Sequence, residues 1–311
     1  MTLGKVFYKC FFEPTFPIRY NLTHFGLKGW YNYALGENMM KKTALNFPEI
    51  KLADNPTPAF SVNFLTGVNY WHQTLFCIQS LINQYGLNLS IQIYSDGTIS
   101  KKIHDIFKNY CPQITVFSEE QIIEVISKII PSGKYPSLNF LRNWHPFFKR
   151  IIDIHCNAGW NLHLDSDMLF LKYPSDLINF STNRIAVFME EQMDYSYFVD
   201  DSKVLLQKYN IATLPKVNGG IIGYDGNLLD YDDLENKSKI LLENYFDKGP
   251  AKIEQTLMSY ILCKQNAVPL NKSEYKIYYD QKIGSENETL RHYIFKAKLP
   301  YLQTEWKKVV H

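Results

Sequence analysis

Short apolar segments alternate with longer amphipathic ones along most of this chain, and that alternation limits the fold more than any other feature. "AFSVNFLTG" (Ala59–Gly67) is a short strand closed by glycine. "YWHQTLFCIQSLINQY" (Tyr70–Tyr85) follows with helical spacing, which puts Leu75, Ile78, Leu81 and Ile82 on one face. "LSIQIYSDG" (Leu89–Gly97) alternates as a strand and stops at Asp-Gly. A helix "SKKIHDIFKNY" and a strand "ITVFS" come next. Ser118 then fits an N-cap, with Gln121 at the capping-box position, and Pro131 and Gly133 end the helix it opens. A longer helix is expected from Leu141 to Asn157, ahead of a strand running into "LDSD". "RIAVFMEE" (Arg184–Glu191), "KVNGGIIGYDG" (Lys216–Gly226) and a helix "IEQTLMSYILCK" continue the pattern. Strands alternating with helices imply an α/β fold with a largely parallel sheet covered on both faces. Residues 1–56 are expected to be an extension packing on the core, irregular with short helical turns. Residues 57–311 are expected to form one domain that includes the C-terminal tail.

Ligands of open α/β sheets bind beyond the carboxyl ends of the strands. Three strands end there in polar motifs, "YSDG", "LDSD" and "FMEE". In "WNLHLDSDMLFLKYP" (Trp160–Pro174), Asp165 and Asp167 interrupt an apolar run. Positions i and i+2 of a strand point the same way, so the two carboxylates can converge. Hard oxygen donors in small number suit Mg²⁺ or Mn²⁺, which take further oxygens from substrate phosphates. The competing account is a solvated turn with two surface carboxylates. A phosphatase with an aspartate nucleophile fits "YSDGTI" poorly, because Tyr94 stands two positions before Asp96.

The bulk properties exclude other classes. A formal charge of +2 over 311 residues offers no concentrated basic face for nucleic acid. No apolar run reaches the roughly 20 residues that span a bilayer, so any membrane contact is expected to be peripheral. Five scattered cysteines without a CxxC pair point to reduced thiols and a cytoplasmic location. The opening "MTLGKVFYKCFFEP" carries too short an apolar stretch for a signal peptide.

"NLHLDSDMLFLKYP" resembles the DxD segment of GT-A fold, nucleotide-sugar-dependent glycosyltransferases, in the style of family 8 enzymes and their relatives. Further pieces follow in the family's order. "VNGGIIGYDG" is similar to its "FNSGVML" strand, with Gly219 in place of serine after Asn218. "EQTLMSYIL" is similar to its "DQDxLN" helix, with Glu254 and Gln255 leading. "LRHYIFKAK" resembles the late histidine segment, although the usual His-x-x-Gly-x-x-Lys-Pro-Trp is absent.

The resemblance implies a Rossmann-like GT-A fold and a metal ion, Mn²⁺ or Mg²⁺, held by Asp165, Asp167 and His292. It implies a nucleotide-sugar donor, most often a UDP-sugar, and a hydroxyl acceptor such as a glycan. Asp165 and Ser166 would face the donor, with Asp96 near the base or ribose. Thr66 and Gly67 would border the base pocket, and Asn218 and Gly219 would lie along the donor. Lys149 or Arg150 would contact the donor, with Asp153 fixing that cation or binding a sugar hydroxyl. Gln255 would lie beside the anomeric carbon, with Glu254 next to it.

Glu190 and Glu191 are candidate bases for inverting transfer, whereas the family resemblance favours retention. A plain surface ion pair for Lys149 and Asp153 is the alternative to a donor role. Two rival functions stand beside transfer: a nucleotidyltransferase acting on sugar phosphates, and an inactive nucleotide-sugar-binding protein. The first would carry a Gly-rich, basic phosphate loop near the first strand, which "NFLTGVNYWHQ" lacks.

Overall fold

The computed structural model describes residues 13–53, 60–156, 159–284 and 287–310. The chain divides into two compact units, Pro48–Ile277 with Asn287–His292, and Met1–Phe47 with Tyr278–Glu286 and Tyr293–His311. The tail expected to belong to the α/β domain therefore groups in large part with the N-terminal segment.

The strands in chain order are β1 (Phe60–Thr66), β2 (Leu89–Ser95), β3 (Thr115–Phe117), β4 (Trp160–Leu164), β5 (Met168–Phe170), β6 (Val187–Glu190), β7 (Val217–Asp225), β8 (Val268–Pro269), β9 (Tyr275–Tyr278) and β10 (Leu290–Tyr293). Seven of them form one sheet in the order β3-β2-β1-β4-β7-β6-β8. The β1–β2, β2–β3, β1–β4 and β6–β8 pairs are parallel. β7 runs against both β4 and β6. The expected α/β class with a mostly parallel sheet and flanking helices is borne out, with one reversed strand inserted. That reversal matters because it brings the start of β7 beside the end of β4: Leu164 pairs with Ile221, and the Asp165 N–H donates to the Gly220 carbonyl at 2.8 Å. A second sheet, β5-β10-β9, pairs His292 with Met168 across antiparallel strands.

The helices follow the sequence where capping and spacing are local. Helix Trp71–Tyr85 buries Leu75, Ile78, Leu81 and Ile82. Ser118 and Gln121 form a reciprocal capping box at helix Glu119–Ile129. Ser118→Ala should therefore cost about 1 kcal/mol of stability, read as a lower urea midpoint at constant slope.

The helix expected over Leu141–Asn157 is broken. Helix Pro136–Trp144 ends at His145, because Pro146 has no N–H to donate and its ring crowds the preceding turn. A short turn Phe147–Lys149 leads into a π-helical segment, Arg150–Ile154. Wide turns of that kind recur near functional sites, and this one carries Arg150.

In the other unit, Glu13–Ala44 is helical with a kink at Gly26, where φ is +66°. That is a correction to the irregular segment expected from its prolines and glycines. Pro14 falls in the first turn, where no N–H is needed, and glycine alone adopts the left-handed kink without strain. Gly36 lies so close to the Leu302 carbonyl that a Cβ would collide with it, so the helix packs tightly on Lys298–Gln303. No helix among the described residues is long and apolar enough to cross a membrane.

Candidate functional site

The "LDSD" segment lies at the carboxyl end of β4, in the connection to β5. The three residues divide by direction. Ser166 turns inward, and its hydroxyl lies 2.8 Å from that of Thr74, which in turn donates to Thr66 at 2.8 Å. Helix Trp71–Tyr85 thereby pins the loop to the end of β1. Ser166 is buried, so it anchors the loop and does not present its hydroxyl outward as a donor contact. Asp165 and Asp167 point the other way and meet His292.

His292 Nε2 lies 3.1 Å from Asp167 Oδ1 and 3.9 Å from Asp165 Oδ2. One donor atom from each of the three falls within 4.8 Å of the others. Two carboxylates and an imidazole form a donor set suited to Mn²⁺ or Mg²⁺, so the residues present fit a divalent cation.

The second glycine of "VNGG" makes room for this cluster. A Cβ on Gly220 would lie 2.7 Å from His292 Cε1 and 2.7 Å from Met168 Cε. Gly220→Ala should displace the imidazole and weaken Mn²⁺ binding at least about tenfold, measured by calorimetric titration. Gly219 does the same for Arg150, whose Nη1 would be 2.9 Å from an added Cβ.

Arg150 is the charge at the centre of the site. Its Nη1 donates to the Gly219 carbonyl at 3.1 Å and to Asp165 Oδ1 at 3.4 Å, and its Nη2 lies 3.1 Å from Glu254 Oε1. Of the two cations expected to reach the donor, the one that meets Asp165 is Arg150. Lys149 instead binds Glu119 at 2.8 Å, with its ammonium close to Gly97. Asp153 pairs with Arg142. Both its oxygens accept from Arg142, at 2.6 and 2.9 Å, and the carboxylate is buried. The π-helical turn Arg150–Ile154 accounts for the difference, because its wider spacing takes positions i and i+4 off one face.

The other expected residues fall into two groups. Thr66, Gly67 and Asp96 are together: the Asp96 N–H donates to the Thr66 carbonyl at 2.9 Å, and a Cβ on Gly67 would overlap the Asp96 carboxylate. Asn218 and Glu191 are bonded to each other at 3.0 Å, and Asn218 Oδ1 accepts from the Gly220 N–H. Glu191 also accepts from the Met193 N–H, and Glu190 lies 3.7 Å from Lys272. Glu254 is buried beneath Arg150. Gln255 is half-buried, and its Oε1 has no hydrogen-bond partner among the described residues.

Burial and charge act against each other here. Burial alone would push the Asp165 carboxyl up, but the Arg150 charge and a hydrogen bond from His163 outweigh it and hold it below its usual range. Burial pushes Glu254 up to about 7 against the pull of Arg150, and Asp153 up to about 6 against the pull of Arg142. The unfolded values are 4.5 and 3.8. Between those values and the folded ones, the native chain keeps protons that the unfolded chain has released. The contribution of these two groups to stability therefore falls as pH rises, from about 3.8 to about 6 for Asp153 and from about 4.5 to about 7 for Glu254. Urea melts of the metal-free protein across that range should show a less negative slope of stability against pH for Glu254→Gln and for Asp153→Asn than for wild type.

No protein-family model and no curated protein matches the sequence. Solved structures do resemble it. Mouse xyloside xylosyltransferase 1 in its apo form is similar over 78% of this chain and 97% of its own, at 10% identity and a TM-score of 0.48. The galactosyltransferase LgtC, bound to donor and acceptor sugar analogues, is similar over 80% of this chain and 94% of its own, at 13% identity and a TM-score of 0.47. The bifunctional glycosyltransferase WbbM is similar over 83% of this chain at 11% identity and a TM-score of 0.49. The match spans about half of that last protein, 52% of its chain.

Proposed function

We propose that the chain transfers a sugar from a nucleotide-diphosphate sugar, a UDP-sugar first among them, to a hydroxyl of a glycan or similar acceptor. The observation that carries this reading is the convergence of Asp165, Asp167 and His292 at the carboxyl end of β4, with the Arg150 guanidinium alongside. Asp165, Asp167 and His292 would hold Mn²⁺ or Mg²⁺, which supplies charge neutralisation for the departing diphosphate. Arg150 fixes Asp165 and contributes positive charge from a guanidinium that is itself buried, where electrostatic stabilisation is stronger than in water. Gln255, one residue from Glu254, carries a buried amide oxygen without a hydrogen-bond partner among the described residues.

Transfer with retention of configuration is part of the proposal. The carboxylates nearest to serving as an acceptor base are engaged: Glu191 by Asn218 and the Met193 N–H, Glu190 by Lys272. Retention needs no such base. The bond from the anomeric carbon to the diphosphate oxygen breaks, and a bond to the acceptor oxygen forms on the same face. The acceptor's proton passes to the leaving diphosphate.

A panel of nucleotide sugars with Mn²⁺ tests the reading. One donor should be hydrolysed slowly to nucleoside diphosphate and free sugar. Release of pyrophosphate from a nucleoside triphosphate and a sugar phosphate, with no donor hydrolysed, would assign the site to nucleotidyl transfer. A chain that neither binds nor turns over any donor refutes the proposal.

A further inference from the structure

His163 sits two residues before Asp165 on the same face of β4, fully buried in the sheet. Its Nε2 lies 3.0 Å from Asp165 Oδ1. An ionised carboxylate can only accept, so Nε2 carries the proton and donates it. Arg150 Nη1 reaches the same oxygen at 3.4 Å. Two donors therefore occupy Oδ1, while Oδ2 is the oxygen turned toward His292, at 3.9 Å.

We infer that His163 is a positioning residue: its imidazole fixes the rotation of the Asp165 carboxylate so that Oδ2 alone faces the cation site. This rests on the metal site proposed above and adds a residue that touches neither cation nor donor. A free carboxylate rotates about its last torsion, which is broad. Binding a cation through one chosen oxygen then carries an ordering cost. A hydrogen bond to the other oxygen from a side chain locked in the sheet removes that cost in advance. Partners of this kind behind a ligand typically set metal affinity by about 10–100-fold.

A simple need of buried histidine for a hydrogen-bond partner predicts a different outcome, and two amide substitutions separate the two. Glutamine places its amide nitrogen near the position of Nε2, whereas asparagine is one methylene shorter and falls short of Asp165. Mn²⁺ alone is titrated calorimetrically into wild type, His163→Gln and His163→Asn, with each fold checked by thermal melting. The inference expects His163→Gln to bind within a few-fold of wild type, and His163→Asn to bind about 10–100-fold more weakly while still folded. If His163→Asn does not fold, His163→Leu takes its place with the same expectation. Equal weakening in the glutamine and shorter variants, or wild-type affinity in a folded asparagine or leucine variant, overturns the inference and leaves the metal site standing. A wild-type chain that binds no Mn²⁺ overturns the metal site and the inference with it.

Discussion

Asp167→Ala is expected to lower Mn²⁺-dependent donor hydrolysis by roughly 10³-fold or more, with the fold intact. The carboxylate meets His292 at 3.1 Å, so its loss removes one of three donors and leaves the imidazole without its partner across the site. The change should not unfold the chain. Asp167 lies in the connection between β4 and β5, and its charge raises the Asp165 carboxyl by repulsion. Removing it relieves that repulsion but takes the 3.1 Å partner from buried His292, so the two effects oppose each other and the melting temperature in the absence of metal should change little. Loss of hydrolysis with an unchanged melt assigns the effect to the site. Hydrolysis within a few-fold of wild type would remove Asp167 from the cation site.

Arg150→Ala is expected to be the most destabilising single change in the site, at about 3–5 kcal/mol in urea melts at neutral pH. Its guanidinium is buried between Glu254, 1% exposed, and Asp165. Truncation leaves both carboxylates without their cation and opens a void beside Gly219, which approaches the guanidinium closely. A second change, Glu254→Gln, should recover a large part of the loss, because an amide needs no counter-charge. Donor hydrolysis should stay lost in both variants, since the Asp165 contact is absent from each. Near wild-type stability in Arg150→Ala would show that the contacts of Arg150 with Glu254 and Asp165 contribute little to the fold.

What could be read in advance follows what is local. The alternation of apolar residues located β1 and β2, and the Ser118 box and the Leu75 face fixed two helices, because the forces involved act within a few residues. The apolar run around Asp165 marked a strand end for the same reason. The rest was not local. β7 runs against β4, which the segment "VNGGIIGYDG" alone does not determine, and that direction is what places Gly219 and Gly220 under Arg150 and His292. The choice between Lys149 and Arg150 turned on the break at Pro146 and the wide turn after it. Proline was a visible signal there, and it outweighs the helical spacing on either side. His163 was visible too, as the i−2 neighbour of Asp165, but its meaning depends on which oxygen it meets. Glu119, Arg142 and Asp153 come together only in three dimensions, so their mutual neutralisation had no sequence signature.

The reliance on β10 has a kinetic side. Asp167 and His292 are 125 positions apart. Their meeting requires β10 to dock beside β5 after nearly all of the large sheet's strands have left the ribosome. Pairings of such separation close long loops and form slowly. On the proposed site, a nascent chain that has assembled β1 to β8 would still lack the third donor, His292, until β10 arrives. If the proposed site takes up its cation, binding would raise the free energy of releasing β10 by mass action, so the cation would also act as a latch on that strand.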